Sequence, residues 1–471
     1  MASRPKMPKV TNDEDEFKNM GSMLRESISR RLDLHTTLPT QVGIKSIRIE
    51  EISSINPVQN ANFITFQAKS HGDEVIFPED CYLKLEFKVL KKSTNLPLTD
   101  ADDVMLVRNP SSAMMKNINV KLCNSVVQSG DGLQAFRSDL EKLLLYTKEG
   151  RKNLDLCDYY EEEHGKFDYI DVEFDKPKEE NTAPGAVDLI DRRETILNSK
   201  TIYCYDLIHA NLFMQDRPLP PNSDFEITYD LQDNPDFYFL SKSQVNSQRY
   251  KIQLERAHIL VTYWQIDLDI LHEMFSITIN NNWFYHIPMR RIELNYFNKP
   301  SNISDVSEPN TVVKEGNILP RRIFVVLVKQ SAFQGKITQD PFNYVNLKPI
   351  NIALRLNGQL TPYPEIKANR NQDPNDLKDP LFYLRKSCGT NFSKYFHLGF
   401  NVKNMQTGYF VSGWDLTSGD SEDAYELVQR KTVELAYTLQ QTTTEAHVMI
   451  ILTEFDAEIQ VDSNRNVYHT M

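Results

Sequence analysis

Ten histidines and 65 acidic residues are the raw material for acid–base or metal chemistry, so their spacing is the first thing to test. Glu161, Glu162, Glu163 and His164 stand in a row and could hold a metal ion, but consecutive carboxylates in a polar stretch also read as a solvated run. His272-Glu273 lacks a second histidine four residues on, so the zinc-protease pattern fails. No Gly-rich phosphate loop, dinucleotide fingerprint or Gly-x-Ser-x-Gly elbow is present, which leaves nucleotide and serine-nucleophile chemistry without an anchor. Carboxylate pairs for glycoside chemistry are assembled by folding and cannot be read from spacing. Arg321-Arg322 either offers two guanidinium forks to an anion or pairs with nearby acids, and both readings stand. Spacing alone therefore assigns no catalytic residue, no cofactor and no metal site.

The elements that would position any site are mostly strands. Within residues 319–366, Ile323 to Val328 is unbroken apolar sequence rich in β-branched residues, as in a strand covered on both faces. Gly335, Asp340, Pro341 and Pro349 punctuate the passage to a second strand, where Ile352, Leu354 and Leu356 alternate with Ala353 and Arg355 before the hairpin dipeptide Asn357-Gly358. Residues 82–89 alternate strictly, as do Ile118, Val120 and Leu122 before Asn124-Ser125. Further strands are expected around Ile44 to Ile49, Phe63 to Phe66, residues 201–213, Phe225 to Tyr229, Val433 to Leu439 and Val448 to Phe455, whereas 281–291 reads as loop. Two helices are expected: one over 132–148, with Leu133, Phe136, Leu140, Leu143 and Leu144 on one face, and a short one over 381–387.

The order of elements suggests a duplication. Residues 118–126 and 352–360 match in alternation and turn; each follows an apolar strand and precedes a long excursion containing a helix. The excursions run over about 155–193, dense in Asp and Glu and expected to be exposed, and about 361–410, marked by Pro362, Pro364, Pro374 and Pro380. The expected layout is an N-terminal arm over 1–35, a first β domain over 36–245 and a second over 246–471. In the arm, Thr11 and Glu14 could form a capping box, with Phe17, Met20, Leu24 and Ile28 as a stripe; it is either a frayed tail or a segment that orders on a partner.

Composition narrows the class. At 471 residues the chain exceeds the size at which a single core stops growing, and its net charge of −12 argues against gripping nucleic acid along its length. Five dispersed cysteines, Cys81, Cys123, Cys157, Cys204 and Cys388, suggest free thiols made in a reducing compartment, cytoplasm or nucleus. The longest apolar runs fall far short of the roughly 20 residues of a spanning helix, and no secretory signal is visible at the N-terminus.

Several strings coincide with one family. They are LDLHTTLPTQ from Leu32, DCYLKLEFKV from Asp80, VKLCNSVVQSGDGLQAFRSDLEKLLLY from Val120, HANLFMQDRPLPPNSDFEI from His209, NILPRRIFVVLVKQSAFQG from Asn317, DPFNYVNL from Asp340, GYFVSGWDLT from Gly408 and ILTEFDAEIQVDSNRNV from Ile451. In this order the chain resembles the major capsid proteins of Polinton/Maverick (adintovirus-like) transposable elements, of the double jelly-roll lineage. The resemblance runs from near residue 32 to the C-terminus and departs mainly in the acidic excursion.

It implies an all-β fold of two tandem eight-stranded jelly rolls with a few short helices in long loops. It also implies a virion protein that is not an enzyme, forms a homotrimer and then an icosahedral shell, and meets a single jelly-roll penton protein at the vertices. No cofactor, sequence-specific nucleic acid or transmembrane segment is implied. The motif residues it singles out as structural are Arg321, Arg322, Phe333, Asp340, Pro341, Phe342, Asn357, Gly358, Phe455 and Asp456. The alternative is a two-domain β-sandwich that binds or hydrolyses glycans.

Overall fold

The computed structural model describes residues 41, 43–161, 167–169, 172, 185–281, 283–305, 318–368, 374–389, 398–399, 401–418 and 425–470. Residues 45–471 pack as one compact unit. The arm over 1–35, with its expected helix, lies outside the described residues.

The strands of the first half are β1 (Ile44–Ser53), β2 (Phe63–Lys69), β3 (Glu74–Ile76), β4 (Tyr82–Lys91), β5 (Met105–Leu106), β6 (Met115–Leu122), β7 (Ser125–Gln128), β8 (Ile202–Leu207), β9 (Asp224–Leu231), β10 (Phe239–Leu240) and β11 (Tyr250–Ile266). Those of the second are β12 (Tyr285–Lys299), β13 (Arg322–Lys329), β14 (Pro349–Leu356), β15 (Gln359–Leu360), β16 (Ile366–Lys367), β17 (Val411–Asp415), β18 (Val433–Leu439), β19 (His447–Val461) and β20 (Val467–Thr470).

Their pairing repeats. One sheet of the first half runs β1-β11-β4-β8, and its counterpart in the second runs β12-β19-β13-β17. The other first-half sheet runs β2-β9-β6-β7. In the second half β18 pairs with β14, which pairs with β15, and the place of β2 is taken by a bridge from Asp305 to Thr438 of β18. Each half is thus an antiparallel sandwich whose strands alternate between two sheets in jelly-roll order, and the fold is a double jelly roll. The sheets face one another: Tyr229 of β9 lies within the field of the Asp206 carboxylate of β8, and Ser412 of β17 meets Tyr437 of β18.

The suspected internal match is topological. Residues 118–126 form β6, its turn and β7; residues 352–360 form β14, its turn and β15. Both turns carry positive φ at two successive residues, 47° and 66° at Cys123-Asn124 and 51° and 79° at Asn357-Gly358, as a two-residue hairpin between right-twisted strands requires. Asn357 also exchanges hydrogen bonds with Thr432, its carboxamide oxygen accepting from the Thr432 backbone N–H at 2.9 Å.

Two expectations are corrected. The second half was to begin at residue 246, but β11 pairs along ten residue positions with β4 and completes the first sheet. Alternation alone says that residues 250–263 form a strand, and not which sheet it joins. Residues 285–291, read as loop, belong to β12, which pairs residue for residue with β19. The polar run His286 to Arg291 has weak strand propensity, and the partner strand overrides it. Pro288 is accommodated because β12 lies at the end of its sheet path. Between β11 and β12 stands the helix Leu268–Asn281.

β13 is covered on both faces, as its composition requires. Ile323, Val325 and Leu327 alternate with Phe324, Val326 and Val328, and all six are buried, which contributes on the order of 10 kcal/mol before entropy is charged. Ser412, the cross-strand partner of Val325, faces Tyr437 inside the roll. Gly413, the partner of Phe324, lies on the outer face, where a side chain would collide with Ser387 Oγ and the Phe324 ring. Ser387 ends the helix Lys378–Ser387, so this helix covers the outer face; it begins three residues earlier than the spacing predicts. We expect Gly413→Val to push that helix off the sheet and destabilise the fold by about 1–3 kcal/mol, read as a lower denaturant midpoint with an unchanged slope.

Candidate functional site: the buried joint between the rolls

The helix Gln134–Leu145 was expected to show one apolar face. Instead Gln134 to Leu143 are all buried, including Arg137, Ser138, Asp139, Glu141 and Lys142. A helix buried on its polar side must pair every charge there, and this one does so through two connected networks.

The first network centres on Arg108, which follows β5 and is fully buried. Its Nη2 donates to Asp139 Oδ2 at 2.6 Å and to the Phe342 carbonyl at 3.2 Å. Five aromatic rings surround the guanidinium: Tyr409 at 5.0 Å, Phe167 at 5.1 Å, Tyr159 at 5.7 Å, Phe342 at 5.8 Å and Tyr344 at 6.0 Å. Tyr344 Oη donates to Asp139 Oδ2 at 2.7 Å. Asp340 closes the circuit: its Oδ2 accepts from the Arg108 backbone N–H at 3.2 Å, and its Oδ1 accepts from the Phe342 N–H at 2.9 Å. Arg192 approaches Asp340 at 3.9 Å. Phe136 stacks on Phe333 with ring centres 5.4 Å apart and meets Phe342 edge-on at 5.9 Å.

Arg108, Phe136, Asp139, Tyr159, Phe167 and Arg192 belong to the first half, and Phe333, Asp340, Phe342, Tyr344 and Tyr409 to the second. Backbone bonds join the same halves: the Ser241 N–H donates to the Ile337 carbonyl at 2.8 Å, and the Tyr169 N–H to the Thr338 carbonyl at 3.3 Å. Gly408 fits here because any side chain would strike the Phe167 ring, and its φ of 110° suits glycine.

The second network lies beneath. Lys142 Nζ donates to Asp206 Oδ2 at 2.8 Å and Asn109 Oδ1 at 3.1 Å, while Asn109 Nδ2 donates to Asp139 Oδ1 at 3.2 Å, linking it to the first. Glu141 pairs with Arg137 at 2.8 Å and with His209 Nδ1 at 2.6 Å. Arg137 and the Ile292 N–H both donate to Asn211 Oδ1. Burial alone would raise the Glu141 carboxyl, but Arg137 and His209 outweigh it and hold the group down at about 2. Burial would likewise lower His209, but Asp206 and Glu141 raise it.

The motif residues fall into three groups. Phe333, Asp340 and Phe342 meet in the joint, with Pro341 buried between the last two. Arg321, Arg322, Phe455 and Asp456 cluster on β13, β19 and the residues beside them. There Arg321 holds Asp456 at 3.1 Å, Arg322 approaches Glu454 at 3.7 Å, Arg290 pairs with Asp456, and Arg291 lies over Phe455 at 5.1 Å. The two arginines therefore pair with local acids. Asn357 and Gly358 form the β14–β15 turn.

In the acidic stretch, Glu161 is committed to Arg151 through two bonds of 2.8 and 3.0 Å, and residues 162–164 lie outside the described residues. No cluster of three or more metal-ligating side chains occurs among the described residues. The excursion was expected to be exposed, yet Cys157, Tyr159, Phe167, Val172, Leu189 and Arg192 are buried, because the described part supplies walls of the joint.

No family model matches the chain. It is 19% identical over 437 residues to the uncharacterized protein F54H12.2 of Caenorhabditis elegans, covering 91% of this chain and 98% of that one. Among solved structures it is similar to a chain of the Sputnik virophage, with TM-score 0.59 and 11% identity over 94% of this chain and 92% of that one. The mavirus major capsid protein gives TM-score 0.53 and 11% identity over 100% and 97%, and a chain of the PBCV-1 virus capsid 0.55 and 11% over 93% and 99%. The fold is that of double jelly-roll capsid proteins.

Removing one partner of a buried ion pair leaves the other uncompensated, so Arg108→Met should cost about 3–5 kcal/mol in chemical denaturation. The joint also has a pH signature. Burial raises Asp340 from 3.8 to about 6 against the pull of Arg108 and Arg192, so the folded state binds the proton more tightly than the unfolded one. Its contribution therefore declines as pH rises from about 4 to about 6. Asp340→Asn should remove that decline from the pH–stability curve; an unchanged slope would show that the carboxyl does not titrate there.

Proposed function

We propose that this chain is the major capsid protein of a virus-like element and that its function is shape and self-association rather than catalysis. One observation carries the reading: more than nine-tenths of this chain aligns with more than nine-tenths of chains from virophage and virus capsid structures. A protein whose product is a shell needs two similar rolls held at fixed relative positions. Three copies would then present six similar rolls, a pseudo-hexagonal tile closed by a threefold axis that leaves no unsatisfied contact.

The motif strings quoted above favour a Polinton/Maverick origin. On this reading the first roll ends with β11, the second starts at β12, and Leu268–Asn281 connects them. The protein would be made inside the host cell and reside in the virion, with a single jelly-roll penton protein at the vertices and the arm over 1–35 tying neighbouring tiles. Among the described residues no helix is long and apolar enough to cross a membrane.

Light scattering on the purified 54.7 kDa chain tests this. A stable trimer is expected. A folded chain that stays monomeric at high concentration contradicts the proposal, and glycan binding by such a monomer would favour the carbohydrate-binding alternative. Deleting residues 1–31 should leave the trimer intact and impair assembly beyond it.

A further inference from the structure

The lower network of the joint contains, besides its ion pairs, every group that an amide-forming reaction requires. Lys142 Nζ is a primary amine 3.1 Å from Asn109 Oδ1, and Asp206 Oδ2 lies 2.8 Å from the same nitrogen. Asn109 is fully buried, Lys142 is 1% exposed and Asp206 7%, so bulk water does not compete for the acyl carbon. Ser112 Oγ donates to Asn109 Oδ1 at 2.9 Å, where negative charge would develop during attack on the carboxamide. The nitrogen that would leave, Nδ2, is oriented by Asp139 at 3.2 Å. Nucleophile, oxyanion donor and leaving-group partner meet at one carboxamide, and the base sits on the nucleophile.

The sequence also closes the usual competing reaction. An asparagine most readily cyclises onto the backbone N–H of the next residue, and the next residue here is Pro110, which has none.

We propose that Lys142 and Asn109 form an intramolecular isopeptide bond that fastens the segment after β5 to the helix Gln134–Leu145. Lys142 rests as an ammonium, because Asp206 and its other neighbours favour the charged form over the cost of burial, so the first step is proton transfer from Nζ to Asp206 Oδ2. The Nζ lone pair then forms the bond to Asn109 Cγ while the carbonyl electrons move to Oδ1. On collapse the Cγ–Nδ2 bond breaks, and Nδ2 takes the second Nζ proton and leaves as ammonia. Ammonia recovers the first proton from Asp206 and departs as ammonium. The amide keeps the third proton, and no oxidant, metal or cofactor is consumed. The bond would lock the walls of the joint covalently, and this inference does not depend on the capsid reading.

The test is a mass measurement on the full-length wild-type protein, fresh and after incubation for several days. The bond lowers the intact mass by one ammonia, about 17 Da, and trypsin should then release residues 109–116 joined to residues 138–148, with Lys142 uncut. Full mass after incubation, with free 109–116 and cleavage after Lys142, would overturn the proposal without any variant having to fold. Lys142→Arg should show no mass deficit; the same deficit in that variant would place the lost ammonia elsewhere. Asp206→Asn, checked for retained fold by circular dichroism, should slow the linkage about 100-fold or more. An unchanged rate in it would remove Asp206 from its role as base.

Discussion

A guanidinium shut away from water destabilises the fold unless an opposite charge, hydrogen bonds and ring faces hold it. Arg108, whose Nη2 makes both of its side-chain hydrogen bonds while five rings surround the group, finds these partners only when both halves of the chain are in place. Asp139 and two of its rings, Tyr159 and Phe167, come from the first half; the Phe342 carbonyl and the other three rings, Phe342, Tyr344 and Tyr409, come from the second. Neither roll can therefore close its own core around this charge, and the two fold as parts of one unit. An apolar joint could have bound the rolls as strongly, but it would fix their relative position less sharply than a forked donor with a required acceptor on each partner.

The repeated strand order gives this constraint its meaning. Two sandwiches with the same pairing, each carrying a long insertion after its β6–β7 or β14–β15 hairpin, use those insertions to meet each other. The helix Gln134–Leu145 lies in the first insertion and the loop around Tyr409 in the second. The likeness to solved double jelly-roll structures runs along 94% and 100% of the chain, so the rolls and the insertions belong to one shared fold.

Much of the framework was legible in the residues themselves. The doubly covered β13, the hairpin at Asn357-Gly358 and its match at Cys123-Asn124 all follow from composition and turn chemistry, because those depend on neighbours in the chain. The placement of β11 did not follow, since an alternating strand carries no label for its sheet. Nor did the joint. Arg108, Lys142, Asp206 and His209 lie far apart in sequence and read as ordinary surface charge, and only the tertiary fold makes their pairing compulsory. A hint existed in Arg137, Asp139, Glu141 and Lys142, crowded onto a helix whose apolar face alone could not account for ten consecutive buried residues. Asp340 and Phe342 were recognised through a resemblance, and their role became clear only beside Arg108.

If the rolls are held rigidly and the chain builds a shell, the purified protein should already have the outline of its tile. Electron microscopy of the isolated protein measures that outline most directly. We expect class averages with a threefold axis and six similar lobes, two from each chain. Averages showing single chains, or assemblies in which the two lobes of a chain take variable relative positions, would contradict both the rigid joint and the capsid function built on it.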